Sequence, residues 1–391
     1  MNKKPIFDYP FFVMGFRTFF SLAALSALLL IVLWNSIYNG TLHTANYFPA
    51  NYWHAHEMLL GYSTAVIAGF LLTAVRNWTG RATTTPDQLA GLGILWLYGR
   101  ITPFYAGLLP DFLIALVDVA FLPCLAWAIT RPLLATKNYR NLIFTVMLLV
   151  MTVANILIHA EVLELTENTA WTGLNTVLAV IMVMILVLAG RVFPFFTERG
   201  LKGVIAIRNP LLEKLGILST IMTFILVLGD IKGLLLALSA ITALLINTAR
   251  ALGWYDRKVW YVPLLWVLYI GYGWIMLGFV LLALSAYSLV PYALALHAFT
   301  VGGIGVITLG MMARVSLGHT GRALKASNVM ALAFVLINLA ALFRVLLPTV
   351  MPDWYGQMVL ASSYFWLAAF SLFVFYYGPI LVAPRADGRE G

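Results

Sequence analysis

Residues 142–160 read LIFTVMLLVMTVANILIHA, nineteen positions in a row without Asp, Glu, Lys or Arg. A helix of that length spans roughly 28 Å, close to the hydrocarbon thickness of a bilayer. The run shows no polar alternation, so it does not read as a half-buried strand, and it is too long for an ordinary buried core segment. Arg140 stands just before it and Glu161 just after it. The segment therefore reads as a membrane-crossing helix with its basic end inside and its acidic end outside.

Working outward, comparable runs cover 17–38, 57–75, 88–107, 111–130, 140–160, 170–190, 211–229, 233–252, 261–284, 292–314, 326–347 and 355–383, each bounded by Gly, Pro or charge. Of the 391 residues, 62% are hydrophobic and 10% charged, and the mean hydropathy is +0.93. Soluble domains run about 45–50% apolar and about 25% charged, so this chain has too few charges to cover a water-facing surface. That excludes a soluble globule, a disordered chain, a disulfide scaffold and, despite the net charge of +9, a nucleic-acid module. A membrane β-barrel is excluded by the continuous hydropathy. The single Cys124 allows neither an intrachain disulfide nor a thiolate metal cluster. The first apolar run is long enough to span and lacks a small-residue cleavage site, so no cleavable signal peptide is expected. The reading is an all-α polytopic membrane protein, one transmembrane domain over 1–391, with twelve transmembrane helices.

Placing the N-terminus inside puts all but three of the 24 Lys and Arg on the inner side; the exceptions are Arg100, Lys232 and Arg344. Acids such as Glu161, Glu164, Glu167 and Asp353 fall outside. This bias requires an even helix number and cytoplasmic N- and C-termini.

Directions give the histidines a depth. His54 and His56 precede or open the second helix, His159 closes the fifth and His297 opens the tenth, all near the outer face. His43 lies in the first outer loop and reads as solvated; His319 lies inside. Four imidazoles at one depth on three helices is the arrangement a metal or haem needs. Simple interfacial placement of His, like that of Trp and Tyr, is the alternative. His54 and His56, two apart, lie on different faces of a helix, and Glu57 is spaced to orient His54.

Two inward-running segments repeat. One begins His54-Ala55 and ends Trp78-Thr79-Gly80-Arg81; the other begins His297-Ala298 and ends His319-Thr320-Gly321-Arg322. With Gly190-Arg191 ending the sixth helix, these are helices two, six and ten, which suggests a pseudo-threefold array; chance similarity between glycine-rich spans is the alternative. Gly302, Gly303, Gly305 and Gly310 permit close approach of a helix or a flat macrocycle. Arg100 and Arg344, near the outer ends of helices three and eleven, suit the propionates of a haem or simply snorkel to the interface.

These residues carry a resemblance. Trp53-His54-Ala55-His56-Glu57-Met58, Asn77-Trp78-Thr79-Gly80-Arg81, Gly190-Arg191-Val192-Phe193-Pro194 and the stretch from His297 to Arg322 resemble the NnrS family of bacterial membrane proteins, along essentially the whole chain. The resemblance implies a twelve-helix bacterial inner-membrane protein holding haem b and copper, associated with nitric oxide, nitrosative stress and denitrification. The chain is more loosely similar to the large subunit of haem–copper oxidases and nitric oxide reductases, which has twelve helices in three arcs. It departs from them in having no adjacent His-His pair, no second His on the tenth helix and none on the sixth or seventh. Oxygen reduction with proton pumping is therefore not expected.

On this reading His56 and His297 are axial haem ligands, with His54 as alternative, and Arg100 and Arg344 contact the haem. His54 and His159 supply a copper site or an alternative axial ligand, so the metal-binding candidates are His54, His56, His159 and His297. Nitric oxide is the expected small-molecule ligand and an electron donor the expected partner. A haem- and copper-dependent oxidoreductase consuming nitric oxide is one alternative. A sensor or assembly factor delivering copper or haem is another. A secondary transporter is the third, weakened because Asp118 is the only evident carboxylate near the bilayer midplane. The segment 190–200 reads as a cytoplasmic loop with a helix stop at Pro194, and His319 as a cap of the tenth helix or, with Arg314 and Arg322, an anion contact.

Overall fold

Apolar runs become helices because lipid offers no partner to a backbone N–H or C=O, and a helix satisfies both within one segment. In the computed structural model, which describes residues 9–42 and 46–389, the regular structure is helical. His43, and Lys3 and Lys4 of the N-terminus, lie outside the described residues. Among the described residues there are twelve long helices. They are α1 Gly15–Tyr38, α2 Ala50–Thr79, α3 Pro86–Ile101, α4 Asp111–Ala135, α5 Leu142–Val162 and α6 Thr169–Gly200. There follow α7 Pro210–Leu228, α8 Leu234–Trp254, α9 Pro263–Ser285, α10 Tyr292–His319, α11 Asn328–Val350 and α12 Tyr355–Val382. Eleven have the length and hydropathy to cross a membrane. The twelfth, α3, has 16 residues, starts from a Thr85/Gln88 capping box with Pro86 at its first position, and runs on into a 3₁₀ turn, Thr102–Tyr105. The twelve-helix, polytopic expectation holds.

Two boundaries differ most from the expectation. Helix α2 begins at Ala50 after Pro49, not near 57, so His54 and His56 sit inside it. The polar residues Asn51, His54, His56 and Glu57 break the apolar run, but protein partners satisfy those of them that face inward. Helix α6 passes through Pro194 to Gly200 where a stop and loop were expected. Phe193 packs on Trp254, Tyr269 and Tyr272, and this packing holds the helix past the proline.

The chain divides into two compact units. The first holds α1 to α5, the start of α6, residues 315–323 and residues 374–391. Its core is the Phe16, Phe19 and Phe20 face of α1 packed on α2, where Gly69 leaves the space that Phe20 fills. Fully buried Arg17 donates Nη1–H to the carbonyls of Leu381 at 2.8 Å and Ala383 at 2.7 Å, so the final turn of α12 is capped by the first helix. The second unit holds the rest of α6 and α12 and all or most of α7 to α11. There Gly302 of α10 lies against Trp274 of α9, whose indole N–H donates to Asn338 Oδ1 at 2.9 Å. The glycines of α10 thus serve helix packing. Leu218, Met222 and Ile225 of α7 and Leu235, Leu238 and Leu245 of α8 are exposed, an apolar surface suited to lipid contact.

Candidate metal centre in the first unit

Three helices bring ionisable groups together inside the first unit. Helix α2 contributes His56 and Glu57, α4 contributes Asp118, and α5 contributes Asn155 and His159. A π-helical segment, Glu57–Ser63, begins directly after His56. Neighbours on a regular α-helix point about 100° apart, yet His56 and Glu57 are both buried, at 0% and 1% exposure. Such π-turns concentrate at functional sites. A second π-segment, Ala298–Gly305, begins directly after His297, so the repeat seen in the sequence has a counterpart in backbone geometry.

Asp118 is the hub. Its Oδ2 lies 3.1 Å from His56 Nε2 and 3.0 Å from His159 Nε2, and accepts from Asn155 Nδ2 at 2.8 Å. Its Oδ1 pairs with Arg100 Nη2. Arg100 Nη1 also stands 3.2 Å from Glu57 Oε1. Two glycines make room: a Cβ at Gly61 would lie 2.9 Å from Arg100 Nη1, and one at Gly99 would lie 2.8 Å from Asp118 Oδ1. The Trp96 indole donates to the Gly61 carbonyl at 3.1 Å and fixes that turn. On the other side, His159 Nδ1 meets the Tyr47 hydroxyl at 3.1 Å, and burial pushes the Tyr47 phenol up from its ordinary value.

The donor accounting fits a cation. His56 Nδ1 faces Glu57 Oε1 at 3.1 Å, and Nε2 faces Asn155 Oδ1 at 3.1 Å as well as Asp118. A neutral imidazole has one N–H, so one nitrogen presents a lone pair to oxygen lone pairs. Two carboxylates face one guanidinium, a formal sum of −2 + 1 = −1 with neutral imidazoles, and Glu57 Oε2 is buried with no hydrogen-bond partner. A buried charge without compensation is expensive. A metal ion held by His56, Asp118 and His159, whose ligand atoms lie within 4.8 Å of one another, would take up the His56 Nε2 lone pair and leave Nδ1–H to donate to Glu57. Two imidazoles and one carboxylate suit a first-row ion such as copper(II), zinc(II) or iron(II).

The sequence candidates are distributed unevenly. His56 and His159 converge, with ring centroids 5.7 Å apart. His54, on the opposite side of α2, stacks on Trp34 at 4.2 Å and 16° and is not in the convergent group. Glu57, expected to orient His54, receives His56 instead, because the π-turn swings it inward. Arg100, expected at a propionate, is engaged by Asp118 and Glu57. His56, expected as an axial haem ligand, stands in the group with Asp118 and His159, its Nδ1 facing Glu57 and its Nε2 facing Asp118 and Asn155. His297 belongs to the second unit. Its Nδ1–H donates to the Ala293 carbonyl at 2.6 Å, which fixes the tautomer that carries the proton on Nδ1. Arg344 donates to the Tyr355 hydroxyl at 2.9 Å, on α11, whose π-segment packs against the start of α10.

Sequence reading passed over Asp118 as a ligand and Asn155 altogether. Asn155 stands four residues before His159, on the same helix face, and that spacing was a usable signal. A family model described as NnrS protein matches residues 10–385. No curated protein matches the chain.

Proposed function

The chain belongs to the NnrS family, and from that premise we propose that it is a bacterial inner-membrane protein that binds nitric oxide or relieves nitrosative stress through two prosthetic groups. Copper is held by His56, His159 and Asp118 in the first unit. Haem b is held in the second unit by His297, with Arg344 serving the propionates. When bound, these metals supply one-electron chemistry and a coordination position for nitric oxide. The chain's own residues do the rest. Glu57 and Asn155 orient His56, Tyr47 orients His159, and Arg100 turns Asp118 so that Oδ2 is presented to the metal. Burial keeps bulk water from the site.

The observation that carries the reading is the convergence of His56, His159 and Asp118 in a fully buried polar cluster. A transporter would want its intramembrane carboxylate on an open path, whereas Asp118 is tied to Arg100, Asn155 and both histidines.

Metal analysis and optical spectra of the detergent-purified protein test it. Wild type should carry stoichiometric copper and a Soret band. His56→Ala and His159→Ala should lose copper and keep the Soret band, and His297→Ala should do the reverse. Unchanged copper in both first-unit variants overturns the copper assignment. Consumption of nitric oxide with an added electron donor then separates an oxidoreductase from a binder or sensor.

A further inference from the structure

Glu57, Asp118 and Asn155 face the imidazole of His56, Asp118 and Tyr47 face that of His159, and an aromatic ring lies beside both. Phe48, in the short segment before α2, is 2% exposed. Its ring lies 4.5 Å from that of His56 at 30° and 5.3 Å from that of His159 at 49°. One apolar ring therefore touches both metal-facing imidazoles. It is held in place from its own segment. The Phe48 amide donates to Asn46 Oδ1 at 3.2 Å, the Tyr47 amide donates to the Pro103 carbonyl at 3.0 Å, and the Tyr47 ring packs edge-on at 4.8 Å.

We propose that Phe48 is the specificity-determining residue of this centre, admitting small uncharged ligands to a metal on His56, Asp118 and His159 and excluding hydrated ions. The inference rests on the copper site proposed above. Three protein donors leave coordination positions to an outside ligand. Charge alone would favour an anion there: the cluster's formal −1 becomes +1 when a divalent ion binds. Exclusion therefore falls to desolvation. An anion reaching the metal must shed its water against an apolar ring in a sealed site, which is costly. A neutral diatomic such as nitric oxide sheds almost nothing.

The test uses full-length protein loaded with copper(II), azide as the ionic probe and nitric oxide as the neutral one, read by electron paramagnetic resonance and by the azide–copper charge-transfer band. Wild type should respond to nitric oxide and show no azide band. Phe48→Ala should keep its copper and bind azide at least about tenfold more tightly than wild type, while Phe48→Leu, which keeps the site apolar, should still exclude it. Azide binding by wild type as tight as by Phe48→Ala overturns the proposal. If Phe48→Ala is not recovered folded, wild type and Phe48→Leu decide: an azide band in either overturns it, and a nitric oxide response without one supports it. The His56→Ala copper measurement distinguishes failure of the site itself, which would remove this inference too, from failure of Phe48 as its filter.

Discussion

Asp118 is one carboxylate with five neighbours' worth of consequences: Arg100 on one oxygen, His56, His159 and Asn155 on the other, and Gly99 yielding the space. A guanidinium in such a place is costly to bury and costlier to remove, because its partners stay behind as unpaired buried charge. Arg100→Met should therefore cost about 3–5 kcal/mol of stability, measured as a shift in thermal unfolding in detergent. A loss below about 1 kcal/mol, the range of an exposed ion pair, would show that the pair is solvated. Part of this was legible from sequence. Arg100 stood out as a cation on the wrong side of the charge pattern, and Asp118 as a carboxylate in a span. That the two neutralise each other was not legible, because no spacing rule links residues on different helices.

At the scale of elements, hydropathy located the helices and missed where polar residues extend them. Helix α2 starts at Ala50 and α6 continues to Gly200 because side chains there find partners inside the protein. The π-turns after His56 and His297 follow the repeated His-Ala pairs, yet nothing in those pairs reports an extra residue in the turn. Close helix contacts are set by small residues. A Cβ at Gly173 of α6 would lie 2.5 Å from the Ala154 carbonyl oxygen of α5. Backbone cannot swing aside as a side chain can, so Gly173→Ala should cost about 1–3 kcal/mol despite alanine's better helix propensity. Thermal unfolding beside an alanine at Gly91, where a Cβ meets nothing within 4 Å, checks this.

For the whole molecule, twelve crossings would place both chain ends on one side, and the Lys and Arg bias predicts that this side is cytoplasmic. Alkaline phosphatase fused after Glu164 should be active, and green fluorescent protein fused after Gly391 should fluoresce; the reverse pattern would invert the topology. The sequence by itself determined the class and the helix number, because lipid forces each apolar run to satisfy its own backbone. Only the tertiary structure decided that His56 and His159 share a carboxylate while His54 stacks on Trp34. That choice depends on the rotation of each helix about its axis and on which neighbours it meets. Packing of side chains from three separate helices sets both, and no local window of sequence contains them.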